Sequence, residues 1–214
     1  MLKHTYLLLT VMSLLCLITA LGCQGQPTPT PAHVQEPDIP ANFTTYTQEG
    51  LFSISYPSGW QPALSVMEEV AEESKRAIQA QDPTASFEDM GIIFYAGELT
   101  SEGFYYPTVN IATERRSLDY WTLDEVYEAK VVWSEEYAPG YKVLSVDKVI
   151  VDGRDCIIDC SEDDEPSYGR WLYIQLFTVK GDFAWCVTCG CESNDFPTFE
   201  NTFRSIVRSL RILN

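Results

Sequence analysis

Three thiols near the C-terminus, Cys186-x-x-Cys189-x-Cys191, have a spacing that metal-binding cysteines use. With Cys156 and Cys160 they make five cysteines beyond Cys16 and Cys23. Thiolates at such spacing hold zinc or an iron–sulfur cluster, and paired thiols carry redox chemistry. Strand geometry opposes the simplest version of either. Side chains alternate along a strand, so Cys186 is expected opposite Cys189 and Cys191 unless a bulge at Gly190 intervenes. Cys156 and Cys160 share a face but stand ~13 Å apart at ~3.3 Å per residue. In a sequential meander the first and third strands lie ~9.6 Å apart, beyond the reach of a disulfide. Three uses therefore stay open: buried free thiols, one or two disulfides, or a metal or redox site at Cys186, Cys189 and Cys191.

The other chemistry-bearing residues narrow the field. The chain has two histidines, His4 and His33, and both precede the part that can fold. Hydrolases that need an imidazole base, and histidine-ligated zinc or haem, are excluded from the domain. Ser161-Glu162-Asp163-Asp164-Glu165-Pro166 offers oxygen ligands but lacks the alternation of a calcium loop. It is expected to be a solvated hairpin tip. Arg204, Arg208 and Arg211 are spaced to share one face of a helix, where a basic stripe on an acidic chain could dock an acidic partner. No spacing singles out a glycosidase-like carboxylate pair among the 31 acids. No catalytic residue and no cofactor are assigned.

The elements that must position these residues follow from periodicity. Phe52, Ile54 and Tyr56 alternate with serines in the second strand of a hairpin, which Pro57-Ser58-Gly59-Trp60 ends. Val66 to Ala80 has a helix's charge order, acids early and Lys75 and Arg76 late. Gly91 to Leu99 and Tyr105 to Thr113 are expected strands. Thr122-Leu123-Asp124-Glu125 is a capping box opening a helix whose apolar positions are Leu123, Val126, Tyr127 and Val131. Tyr141 to Val151 is a strand and Asp152-Gly153 a turn. Arg154 to Cys160, Arg170 to Val179 and Asp182 to Cys189 form a meander, and the middle strand is apolar on both faces, so both are covered. Phe196, Phe199, Phe203, Ile206, Val207 and Leu210 fall at helical spacing. The fold class is α+β, an antiparallel sheet with helices on both sides.

The N-terminus places this domain. Residues 1–22 have the parts of a secretory signal: Lys3, an apolar run from Tyr6 to Ala20, and small residues before a cysteine in Ala20-Leu21-Gly22-Cys23. The run falls short of the ~20 apolar residues that span a bilayer. The stretch resembles the bacterial lipobox, which implies acylation at Cys23 and a palmitate-bearing lipoprotein on the extracytoplasmic side of the cell membrane. Residues 23–42, with Pro27-Thr28-Pro29-Thr30-Pro31, form a semi-rigid spacer. Residues 43–214 then suit one domain, and 13% aromatic and 45% apolar content supply a core. The formal charge is −17, and cleavage at Cys23 removes only Lys3, making it −18. That disfavours nucleic acid and anionic lipid surfaces as partners.

Tyr46…Gly50-Leu51-Phe52-Ser53-Ile54-Ser55-Tyr56-Pro57…Trp60, the helix opening at Thr122, the Val151-Asp152-Gly153 turn, the aromatic meander and the closing Ser209-Leu210-Arg211-Ile212 together resemble PsbP-like domains, over about residues 43–213. The resemblance implies an α/β/α sandwich around an antiparallel sheet, as in bacterial lipoproteins of the DcrB type. It also implies a binding or assembly module with no shared catalytic residues. The expected function is a membrane-anchored, non-enzymatic extracytoplasmic module that engages another envelope protein or a ligand. The alternative is a thiol-based metal or redox protein.

Overall fold

The computed structural model describes residues 39–63, 90–115, 122–138, 140–166 and 169–213, with Met67, Glu72 and Arg76. The expected signal segment, Cys23 and most of the expected spacer lie outside them. Of the helix expected over 66–80, those three residues are described, and all are helical.

Beyond those three residues, ten strands and two helices follow in chain order among the described residues. They are β1 (Phe43–Gln48), β2 (Phe52–Pro57), β3 (Gln61–Pro62), β4 (Met90–Leu99), β5 (Tyr105–Arg115), α1 (Leu123–Tyr137), β6 (Tyr141–Val151), β7 (Arg154–Glu165), β8 (Gly169–Lys180), β9 (Phe183–Glu192), α2 (Phe196–Arg208) and β10 (Arg211–Ile212). Seven strands make one antiparallel sheet in the order β3-β4-β5-β9-β8-β7-β6. The meander is sequential, as expected. At the β6–β7 turn, Asp152 and Gly153 both have positive φ, 53° and 72°. That is the requirement of a two-residue type I′ turn, whose twist matches the flanking strands.

The expected hairpin β1–β2 does not join this sheet. It forms a second, three-stranded sheet with β10, in the order β1-β2-β10. The last helix therefore stops at Arg208, earlier than the sequence suggests, and Arg211 and Ile212 pair with Ser53 and Phe52 of β2. Ser209 makes the junction: its Oγ accepts from the Ser55 amide at 2.8 Å and lies 3.1 Å from the Ser55 carbonyl oxygen. A hydroxyl that satisfies a strand's amide takes the place of a ladder partner.

One face of the large sheet is covered by α2 and the small sheet. Phe203, Ile206 and Val207 of α2, with Phe52, Ile54 and Tyr56 of β2, pack on Ile158, Ile174, Leu176, Trp185 and Val187. The other face carries α1, whose Leu123 and Tyr127 pack on Ile157, Phe177 and Cys186, and whose Val126 packs on Ala184. The sheet thus has a helix on each side.

The acidic stretch corrects a sequence expectation. Ser161 to Glu165 is not a hairpin tip; it extends β7 against Gly169 to Tyr173 of β8, and Ser161, Glu162 and Asp163 are buried. Charge alone suggested a loop. The pairing strand and the cations Lys142 and Arg170, both ion-paired with Glu162, make burial tolerable.

Candidate functional site

Register sorts the five cysteines. Cys160 of β7 stands opposite Ile174 of β8, which stands opposite Cys189 of β9, so two strand spacings separate those thiols. Cys189 and Cys191 belong to the core under α2, whereas Cys186 packs with Ile157 and Phe177 under α1. No bulge at Gly190 rescues convergence: β8 and β9 stay in register from Trp171↔Glu192 to Lys180↔Phe183. Strand alternation thus puts one thiol of the expected metal set on the opposite side of the sheet from the other two. Among the described residues no cluster of three or more metal-ligating side chains forms. None of the five thiols is in a disulfide, and all are buried. Burial pushes Cys160 up to about 11 and Cys191 up to about 12, and raises Cys156 and Cys189 as well. A thiol held in that range is not a thiolate at neutral pH and is a poor nucleophile.

The arginines also separate. Arg204, on α2, bonds Glu200 one turn earlier, Nε to Oε1 at 3.0 Å. Arg211 is not on the helix; from β10 its guanidinium donates to the Arg208 and Leu210 carbonyls at 3.2 and 2.9 Å and approaches Asp152 at 3.4 Å. Only Arg208 of the three is exposed. The shared stripe therefore reduces to one outward cation at the C-terminal end of α2.

The polar chemistry gathers instead on the sheet face beneath α1. The capping box forms as expected: Thr122 Oγ1 accepts from the Glu125 amide at 3.2 Å, and the Glu125 carboxylate accepts from the Thr122 amide at 2.7 Å. The helix then buries Val126, Ala129, Lys130, Trp133 and Ser134, a stripe at helical spacing that includes a charge. Lys130 is 1% exposed and its ammonium donates to Asp159 Oδ2, 0% exposed, at 2.9 Å. It also donates to the Tyr141 hydroxyl. Three rings surround it, with centroids at 4.5 Å (Tyr141), 5.1 Å (Phe177) and 5.8 Å (Tyr127).

A polar row continues from Asp159 across the sheet. Asp159, Gln175, Thr188 and Asn110 are register partners on β7, β8, β9 and β5, and all are buried. Ser161 Oγ lies 3.4 Å from Asp159 Oδ1 and 3.3 Å from Gln175 Oε1. Gln175 Nε2 donates to Thr188 Oγ1 at 2.9 Å, and Thr188 Oγ1 is 3.4 Å from Cys186 Sγ. Burial, then the Asp159 carboxylate, push the Tyr127 phenol above its ordinary range against the opposing Lys130 charge. Below this row Tyr173 lies over Gly190, where an added methyl would stand 2.7 Å from Tyr173 Cδ1. Trp171 stacks with Tyr173, their centroids 6.5 Å apart.

Sequence reasoning missed this cluster. Asp159 was the available signal: a carboxylate inside a strand whose neighbouring strand is covered on both faces needs a cation brought to it by another element.

No family model matches the chain, and no curated protein matches it in sequence. Solved structures do. The cyanobacterial PsbP protein (CyanoP) of Synechocystis sp. PCC 6803 superposes with a TM-score of 0.54 at 10% identity, over 87% of this chain and 99% of that one. A Pseudomonas aeruginosa protein of unknown function, PA94, gives 0.45 at 12% identity over 79% and 96%. LpqN of Mycobacterium tuberculosis, described as involved in cell envelope biogenesis, gives 0.44 at 9% over 80% and 92%. At such identities likeness speaks for architecture alone. No helix among the described residues is long and apolar enough to cross a membrane. With its antiparallel sheet between α1 and α2 and its superposition on nearly the whole of CyanoP, the chain has the PsbP-like fold.

Proposed function

We propose that this chain is a lipid-anchored extracytoplasmic module that binds or assembles and does not catalyse, held to the membrane through Cys23 and spaced from it by residues 23–42. The observation that carries this reading is the burial of all five thiols of the domain, four of them with raised pKa, in a domain that contains no histidine. A buried thiol whose pKa is raised lacks both the access and the ionisation that a nucleophile needs. The buried charges Lys130 and Asp159 are paired with each other. The PsbP-like architecture fits a module that works through its surface.

The tether is tested in producing cells fed an alkyne-bearing fatty acid. The wild-type chain is expected to carry the label and sediment with membranes, and Cys23→Ala to lose both. A Cys23→Ala chain that stays labelled and membrane-bound would reject the anchor. For docking to another envelope protein, Arg208 is the outward cation of the proposed stripe. Arg208→Glu should abolish an in-cell cross-link that the wild-type chain makes through α2. An unchanged cross-link would move the partner to another surface.

A further inference from the structure

The surroundings of the Lys130 ammonium amount to a complete receptor for such a group. A carboxylate oxygen accepts at 2.9 Å, a phenol oxygen accepts a second N–H, and the ring centroids of Tyr141, Phe177 and Tyr127 stand within 4.5–5.8 Å of the nitrogen. Ring faces carry negative quadrupole potential and attract a cation more strongly once water is excluded. Here it is excluded: Asp159 and Lys130 are both at most 1% exposed. The carboxylate is oriented in turn by Ser161. A single carboxylate oxygen with one hydroxyl suits the compact three-proton head of an ammonium, whereas a guanidinium wants a planar two-oxygen acceptor.

The walls come from different elements. Tyr141 lies on β6, Asp159 on β7 and Phe177 on β8, all in the sheet; Tyr127 and the occupant itself come from α1. Three walls are therefore independent of the helix that supplies the lysine. A tie of the opposite sense, Lys148 on β6 to Asp124 on α1 at 2.6 Å, holds the outer end of the helix.

We propose that the space between α1 and strands β6–β8 is a binding site for a primary alkylammonium group, which Lys130 fills from within. The site is separate from the anchor and from Arg208. Its ligand class is a straight alkyl chain ending in an ammonium, as in an aliphatic amine or a lysine side chain.

The probe is n-propylammonium, which replaces the atoms lost in Lys130→Ala. With the wild-type chain, thermal unfolding should show no saturable shift beyond that of sodium chloride at equal ionic strength, since the site is full. The Lys130→Ala chain should be destabilised, and n-propylammonium should restore stability saturably. At ten times its Kd, the folding constant should rise about tenfold. Neutral 1-propanol should not restore it, and Lys130→Ala/Asp159→Ala should not respond to the amine. If Lys130→Ala fails to fold alone, it is refolded with amine or with 1-propanol. Native circular dichroism recovered with the amine only supports the site. No amine response, or an equal response to 1-propanol, overturns the proposal.

Discussion

One step along each strand separates two different molecules. On the side facing α2, one row across the sheet reads Cys160, Ile174, Cys189, Val109 and Ala96. The neighbouring row on the side facing α1 reads Asp159, Gln175, Thr188, Asn110 and Tyr95. Both rows are buried. The first is held by contact between apolar surfaces, which is tolerant of direction. The second is held by partners that must each be present and aimed. Apolar packing under α2 fixes the fold. The polar face under α1 is where the protein has exchanged simple packing for a specific arrangement, and buried charge is seldom kept for stability alone.

The contrast breaks most visibly at Asp159. Asp159→Ala leaves the Lys130 ammonium buried without its carboxylate, and such losses cost ~3–5 kcal/mol. Phe203→Ala on the other face should cost a similar ~3–5 kcal/mol through lost burial and a cavity. The two differ in repair. Adding Lys130→Met to Asp159→Leu should recover most of the loss, because both charges are gone and the volume is kept. No second deletion repairs Phe203→Ala. Urea unfolding of these variants, and of Lys130→Met alone, measures this. A charge-pair double variant no more stable than the worse of its singles would show that the pair is not the unit holding α1.

Cysteine to serine tests the same contrast at smaller scale. At Cys189, under α2, a hydroxyl would be buried among apolar side chains, at ~1–3 kcal/mol for an unpaired polar group. Cys186 already lies 3.4 Å from the Thr188 hydroxyl and 4.0 Å from Gln175 Nε2. Cys186→Ser should therefore cost clearly less than Cys189→Ser. Equal losses would mean that the face under α1 cannot adjust to a new donor.

These two faces were unequally legible. The apolar one declares itself by alternation in Phe52, Ile54 and Tyr56 and by the helical spacing of Phe196, Phe203, Ile206 and Val207, so strands, helices on both sides and the opposed Cys186 follow from the sequence. The spacing of α1 pointed to Leu123, Val126, Tyr127 and Val131, while the buried stripe includes Lys130 and Ser134. A lysine on a helix is ordinarily solvated, and only its three-dimensional partner Asp159 makes the difference. Ser161 to Glu165 reads as loop in the sequence for the same reason: charge density marks solvent unless another strand brings counter-ions. The spacing of Arg211 suits the helix. Pairing of β10 with β2, a contact between chain ends, decides otherwise.

The weakest expected effect concerns an acid at the margin of the apolar side. Glu162 follows Cys160 in the alternation that faces α2 and is 2% exposed, while its partners Lys142 and Arg170 reach into solvent. Burial raises its pKa, but hydrogen bonds from Lys142 and Arg170 outweigh burial and hold the carboxyl below its usual range. A carboxyl lowered on folding stabilises above its unfolded value of ~4.3, and that contribution is lost as pH falls through the folded value. Wild type and Glu162→Gln should therefore differ by a constant amount at neutral pH, with the gap closing below about pH 4.3. Partners so exposed are screened by salt, so the gap should also narrow at high ionic strength. A Glu162→Gln chain more stable than wild type at neutral pH, with that advantage disappearing on acidification, would mean that burial, not the two cations, governs Glu162, and would align this acid with the dry face on which it stands.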